Sequence, residues 1–352
     1  MTPPSTDDER VTDSEAVMAQ KRLSGIFTPH MVPLDDQGRI NEAELRRLVD
    51  WLIAKGVSGL YPNGSTGEFT RFSFEERKTV VRIVAEQTAG RAAILAGAAE
   101  ANLKMTLEAA AYYHQLGCDA VAIVAPFYYK LSQDAVYAYF AEIARESPIP
   151  LTLYNIPQFA NDIANPTIKR LAGECPQIVG IKDSSRDLPR FLNMMHDIRP
   201  IRSDFVFLTG CEEMLLPALI MGADGGTIAT SGVVPEVVMR LYHLATAHKI
   251  EEARAIQYQL LDLIRLIVFG ADFPEGVRQA VGLRGFRMGQ GRHPLSAAQQ
   301  LDLNTLARTI QCILNSFGFT DAPPGGCDPN RGAITSTAVE QIVKEVVRRL
   351  QG

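Results

Sequence analysis

Ile178-Val179-Gly180-Ile181-Lys182-Asp183-Ser184-Ser185 sets one lysine at the end of a short apolar run. Such a run reads as a strand buried on both faces, and its repetition along the chain decides the fold. A lysine at that strand end is partly withdrawn from water. Burial disfavours the ammonium form of a lysine, and the amine attacks a carbonyl to form a Schiff base. The competing reading is a lysine that ends a strand and points into solvent; its place in the repeat and two companion motifs weigh against that.

Outward from this stretch, β-rich runs alternate with amphipathic stretches of helical length. The strand candidates are residues 25–32, 58–62, 92–96, 120–125, 151–155, 178–182, 205–209 and 226–230. The helix candidates, most with polar starts, are residues 41–55, 73–88, 102–116, 132–146, 165–173, 188–198, 212–221 and 234–248. Eight β-then-α units predict an α/β fold, a (βα)8 TIM barrel over residues 21–250. An open doubly wound sheet is the alternative, but no GxGxxG follows the first strand. Residues 251–269 and 296–317 read as further helices within a 251–318 region, packed on the barrel or at an interface, with a Gly- and Arg-rich connection over 270–293.

Composition bounds the function. The 352 residues are 46% hydrophobic and 21% charged, ordinary for a globular chain with a large core. A net charge of -5 gives no electrostatic case for a nucleic-acid partner. The five cysteines (118, 175, 211, 312, 327) form no CxxC pair and suggest neither a disulfide framework nor a zinc knuckle, so a reducing cytoplasm is expected. Residues 1–20 are polar and acidic, read as a disordered extension without a signal-peptide core, and no apolar run reaches membrane-spanning length. The six histidines show no HxH or HxxxH spacing, so no metal is expected. Glycines 222–226 precede the eighth strand and read as a tight turn, not a phosphate loop.

In a barrel of this kind the active site lies at the C-terminal ends of the strands. Strand two runs into Asn63-Gly64-Ser65-Thr66-Gly67-Glu68, strand five into Tyr154-Asn155-Ile156-Pro157, strand six into Lys182, and strand seven into Gly210, Glu212 and Glu213. Glycines around Ser65-Thr66 let backbone N–H groups approach a small carboxylate, with the hydroxyls as further donors; a plain tight turn is the other reading. Tyr154 beside an amine and a carbonyl relays protons, or else packs against the next loop. Together they describe an enzyme that holds a 2-oxo acid by its carboxylate and turns its ketone into an imine, for which no cofactor is needed.

Gly64-Ser65-Thr66-Gly67-Glu68, Tyr154-Asn155-Ile156-Pro157 and Gly180-Ile181-Lys182-Asp183 resemble the signature segments of the dihydrodipicolinate synthase and N-acetylneuraminate lyase family of class I pyruvate aldolases, in order and in spacing, over about residues 23–317. The resemblance implies that Lys182 forms the Schiff base with pyruvate, that Tyr154 relays protons, and that Gly64, Ser65 and Thr66 bind the pyruvate carboxylate. Pro126-Phe127-Tyr128-Tyr129 is similar to the family segment whose tyrosine reaches a neighbouring subunit's site. Tyr128 holds the matching place, with interface packing as the other reading, and a homotetramer is implied. Synthases that condense pyruvate with aspartate semialdehyde carry an arginine two residues past the proline of the YNxP segment; Phe159 stands there and cannot grip a carboxylate bidentately. Lys182-Asp183-Ser184-Ser185 resembles instead the matching segments of 2-keto-3-deoxy sugar-acid and hydroxy-oxoglutarate aldolases, which implies Ser184 at a substrate hydroxyl; Glu212 and Glu213, after Gly210, fall where the neuraminate lyases place acids that bind sugar hydroxyls, so Gly210, Glu212 and Glu213 are expected at the substrate too. Glu212 and Glu213 also read as acids that favour a helix N-terminus. The expected reaction is cleavage of a small hydroxylated 2-oxo acid to pyruvate and an aldehyde. The 4-hydroxy-tetrahydrodipicolinate synthase reaction, a sugar-acid dehydratase and a non-catalytic binding module are the alternatives.

Beyond the enzyme domain, residues 319–335 have the composition of a flexible linker. In residues 336–352, Thr337 and Glu340 make a capping box, and Val339, Ile342, Val343, Val346, Val347 and Leu350 form one apolar stripe. This short helix either folds back or docks on a partner. It resembles the encapsulation peptides that recruit enzymes into bacterial microcompartments, so a shell protein is the expected partner.

Overall fold

The structure, a computed structural model, describes residues 23–100, 102–295 and 301–320. The 1–20 extension, the linker beyond residue 320 and the terminal helix at 336–352 lie outside the described residues. Two compact units divide the chain. One takes the described residues up to Phe27 with Ser58–Tyr61 and Gly90–Thr227; the other takes Thr28–Val57, Pro62–Ala89 and the described residues from Ile228 onward.

The first unit carries the sheet. Strands β1 (Gly25–Thr28), β2 (Gly59–Leu60), β3 (Ala93–Gly97), β4 (Ala120–Val124), β5 (Leu151–Asn155), β6 (Ile178–Asp183), β7 (Val206–Thr209) and β8 (Gly225–Thr227) follow one another around a closed parallel barrel, in which β1 pairs with β8. This is the TIM barrel the repeat predicts. Almost every strand residue is buried, as a parallel sheet covered on both faces requires. Gly180 shows how closely the strands approach: a Cβ there would stand 2.6 Å from the Val206 carbonyl oxygen, so only glycine allows the β6–β7 ladder. In register, Tyr154 lies beside Lys182, and Lys182 beside Leu208.

The same unit holds helices α3 (Leu103–Gln115), α4 (Gln133–Glu146), α5 (Asn165–Glu174), α6 (Leu188–Ile198) and α7 (Leu215–Ile220); α1 (Glu42–Ala54) and α2 (Phe74–Thr88) belong to the second unit. The polar starts act as caps. Side chains of Asn41, Ser73, Asn102 and Ser132 accept from backbone N–H groups in the first turns of α1 to α4, and Ser73 and Glu76 form a reciprocal capping box. Each such cap stabilises its helix by about 1 kcal/mol.

The second unit continues with α8 (Pro235–Thr246), α9 (Ile250–Ile264), α10 (Glu275–Leu283) and α11 (Leu303–Ser316). Helix α10 corrects the expectation that residues 270–293 merely connect two helices. Its Arg278 is an interior side chain, so a charge that reads as surface in the sequence is part of the core. Strand β8 is shorter than expected, because residues 229–232 form a 3-10 turn in which the Ser231 hydroxyl donates to the Ile228 carbonyl at 2.5 Å. The helix expected at 212–221 is split into a 3-10 turn, Glu212–Met214, and the short α7.

Candidate active site

At the end of β6, Lys182 is only 4% exposed. Its Nζ lies 4.0 Å from the ring centroid of Tyr154 and 4.7 Å from that of Tyr61, and the two rings meet edge to face at 6.3 Å. Among the described residues no carboxylate pairs with Lys182. The adjacent Asp183, fully buried, is satisfied elsewhere: Asn155 Nδ2 donates to it at 3.1 Å and the Ser185 N–H at 2.7 Å. Asn155 in turn accepts from the Ile163 N–H, which ties the YNIP segment to the loop beyond it. Burial, and after it the neighbouring Tyr154, push the Tyr61 phenol well above its ordinary range. Tyr61 is therefore a neutral hydroxyl at physiological pH, able to donate a proton in a hydrogen bond but not to act as a base.

Strand β7 adds the next wall. A Cβ on Gly210 would collide with Ser184 Oγ and stand 2.8 Å from Lys182 Cε, so the glycine leaves room in which the lysine stem and the serine hydroxyl converge. Glu212 is buried and Glu213 half-buried at the start of the 3-10 turn. Burial, followed by the charges of Glu212 and Glu213, pushes the Cys211 thiol up to about 12, so it stays protonated and offers no thiolate nucleophile. Lys182, Tyr154, Ser184, Gly210, Glu212 and Glu213 thus sit on the ends of three adjacent strands of one unit.

Tyr128, also in this unit, is 90% exposed with φ of 81°. Its loop is pinned by Asn161, whose Nδ2 donates to the Pro126 and Tyr129 carbonyls at 2.6 and 2.7 Å and whose Oδ1 accepts from the Leu131 N–H at 3.0 Å. A left-handed tyrosine costs about 1–2 kcal/mol, so the loop holds an outward tyrosine against its backbone preference.

In the second unit, Gly64-Ser65-Thr66-Gly67-Glu68 forms a compact turn flanked by two left-handed residues, Asn63 and Glu68. The Glu68 N–H donates to the Ser65 carbonyl at 3.1 Å, Thr66 is buried and Ser65 half-buried. The Glu68 carboxylate is fixed by Arg71 at 2.5 Å and by Arg278, itself 1% exposed. Arg278 also donates to the Met288 and Val32 carbonyls at 2.6 and 3.2 Å. The turn is thereby held at Glu68 from two sides.

Sequence reasoning missed Tyr61 and Arg278. Tyr61 directly follows β2 and was legible as a strand-end aromatic of the same kind as Tyr154. Arg278 had no local signal, since its partner Glu68 lies 210 residues away.

The comparisons agree with this geometry. The model of the dihydrodipicolinate synthetase family matches residues 22–313. A 4-hydroxy-tetrahydrodipicolinate synthase of Methanopyrus kandleri is 33% identical, over 82% of this chain and 96% of its own. Among solved structures, YagE of E. coli K12, a protein of the dihydrodipicolinic acid synthase family in complex with pyruvate, superposes with a TM-score of 0.76 at 27% identity, over 83% of this chain and 98% of its own. The 2-keto-3-deoxygluconate aldolase of Picrophilus torridus gives 0.73 at 29%, over 79% and 100%. With a barrel, a buried strand-six lysine and this match, the chain belongs to the dihydrodipicolinate synthetase family and is an enzyme of its class I lyase and aldolase kind.

Proposed function

We propose that this enzyme cleaves a small hydroxylated 2-oxo acid, of the 2-keto-3-deoxy sugar-acid type, to pyruvate and an aldehyde, and catalyses the reverse condensation. The observation that carries the chemistry is the buried Lys182 against the Tyr154 and Tyr61 rings, with no carboxylate partner among the described residues. Lys182 Nζ adds to the C2 ketone, and Tyr154 relays the protons that let water leave and the imine form. The iminium draws electrons as the C3–C4 bond breaks; the C4 hydroxyl loses its proton and the aldehyde departs. The enamine takes a proton at C3, and hydrolysis releases pyruvate and frees the lysine. Gly64, Ser65 and Thr66 are assigned the pyruvate carboxylate on their motif, and Ser184, Gly210, Glu212 and Glu213 the remainder of the substrate.

Phe159, 60% exposed at the place where the synthases carry arginine, supports the lyase branch over the aspartate-semialdehyde synthase. The synthase reading keeps the support of several relatives that carry the synthase name, at 30–35% identity. The test is product analysis with 2-keto-3-deoxy sugar acids and, separately, pyruvate plus aspartate semialdehyde. Equimolar pyruvate and aldehyde from the former is expected. Condensation only with aspartate semialdehyde would install the synthase; loss of water with the carbon chain intact would install the dehydratase; and imine formation without any turnover, the binding module.

A homotetramer is part of the proposal, with Tyr128 serving a neighbouring subunit's site; its exposure and left-handed backbone support this. Light scattering should give four copies, and a monomer with full activity would refute it. Docking of residues 336–352 to a microcompartment shell protein rests on the apolar stripe alone. A fluorescent protein fused to residues 333–352 should become punctate with the cognate shell proteins, and diffuse signal would end that idea.

A further inference from the structure

Two tyrosine rings flank the Lys182 amine, one from the neighbouring strand and one from across the barrel. Tyr154 belongs to β5 and stands in register with the lysine. Tyr61 directly follows β2, which lies four strands from β6 around the closed barrel and therefore on the opposite wall. Its ring crosses the interior of the first unit until its centroid is 4.7 Å from Nζ. The strand that delivers it is tightly seated: a Cβ on Gly59 would collide with the Phe27 ring and stand 2.9 Å from the Ala93 carbonyl oxygen. The lysine stem is seated in the same way, with its Cε against Gly210.

Tyr61 is 1% exposed, yet among the described residues no group hydrogen-bonds its hydroxyl. Other phenols of the unit find protein partners: Tyr137 donates to Glu174 at 2.5 Å, and the Tyr139 hydroxyl meets that of Thr106 at 3.5 Å. A hydroxyl taken out of water without a partner destabilises the fold, so phenylalanine would serve mere packing better. The same burial keeps the phenol neutral and hence a donor. The ring comes close to the amine, but the hydroxyl does not bond it. An oxygen carried on the carbon that joins Nζ enters the interval between the two. That oxygen is the one on which negative charge develops when an amine adds to a ketone, and a fixed neutral donor there lowers the barrier.

We infer that Tyr61 is a further catalytic residue, whose hydroxyl donates a hydrogen bond to the C2 oxygen of the substrate while Lys182 adds to C2. This rests on the Schiff-base reading and deepens it by separating two tyrosines into two roles. As the Nζ–C2 bond forms, the carbonyl electron pair moves onto oxygen, where Tyr61 meets it without giving up its proton. Tyr154 relays the protons with which that oxygen leaves as water, and the nitrogen keeps the positive charge of the iminium.

The test follows imine formation with pyruvate by rapid quenching in borohydride and intact-protein mass spectrometry. Tyr61→Phe is expected to slow the step about a hundredfold, through its rate constant more than through the pyruvate concentration at half saturation. Its Tm should stay equal or rise, because no protein hydrogen bond is lost, and slower chemistry in an equally stable fold is not what a packing role gives. Fluorinated tyrosines at position 61 keep the ring's shape while making the phenol more acidic. A donor that ionises is lost, so the alkaline limb of the rate should move to lower pH with each added fluorine. Imine formation at the wild-type rate in Tyr61→Phe, a loss of rate only alongside a fall in Tm, or an alkaline limb that fluorination leaves unmoved overturns the inference. Failure of pyruvate to be trapped on Lys182 in wild type would instead strike the underlying Schiff-base reading, and this inference with it.

Discussion

Two buried basic side chains of the described residues are treated in opposite ways. Arg278 is enclosed by the Glu68 carboxylate, a longer contact to Glu275 at 3.6 Å and two backbone carbonyls. Lys182, equally withdrawn from water, has aromatic faces and no carboxylate among the described residues. A buried charge held by a carboxylate and two backbone carbonyls is structural: it fixes the Gly64–Glu68 turn to the helices of its own unit. A buried lysine without a counter-charge gains only weak ring contacts, and its persistence points to chemistry. His30 shows a third solution. Fully buried, it has its pKa lowered to about 4 by that burial, so it resides in the fold as the neutral ring.

The contrast can be broken at its strongest point first. Lys182→Ala should abolish turnover, by roughly 10⁴-fold or more in kcat, since no other group can hold the imine. Its Tm should fall little, or rise for Lys182→Met, as measured by calorimetry. Arg278→Met should do the reverse. It leaves Glu68 buried and deprived of its deepest partner and should cost about 3–5 kcal/mol in denaturant unfolding, while the double variant with Glu68→Gln costs less.

The histidine gives a smaller effect with a defined sign. A folded-state pKa near 4 against 6.5 in the unfolded chain means the unfolded state binds a proton the fold refuses. Stability should therefore decline as pH falls from 6.5 toward 4 and level off below, by about 3 kcal/mol at most. His30→Leu should flatten that part of the stability profile. Smallest is Gly210→Ala, which crowds Lys182 Cε and Ser184 Oγ and should cost about 1–3 kcal/mol in denaturant unfolding, with a slower rate of imine formation in stopped flow as a second readout.

Much of this was legible in the sequence because it is local. Parallel strands announce themselves as apolar runs, and Asn41, Ser73, Asn102 and Ser132 cap the helices they precede. Lys182 and Tyr154, read from separate motifs, stand in register on neighbouring strands. What stayed hidden depends on distance in the chain or on backbone conformation. Helix α10 was masked by Gly276 and by an arginine whose partner is far upstream. The glycine is needed because Ile267 leaves no room for a Cβ, with its Cα 2.8 Å from where one would stand. Strand β8 ends early because Ser231 bonds its own backbone, a competition that an apolar pattern does not register.

The central claim is that Lys182 is a nucleophile and not a strand-end cation. Mass spectrometry after treatment with pyruvate and sodium borohydride tests it most directly, with Lys182→Ala as the control. The expected result is one reduced pyruvyl adduct per chain, mapped to Lys182 and absent from the variant. No adduct under conditions that label a known pyruvate lyase, or an adduct that survives Lys182→Ala, would contradict it.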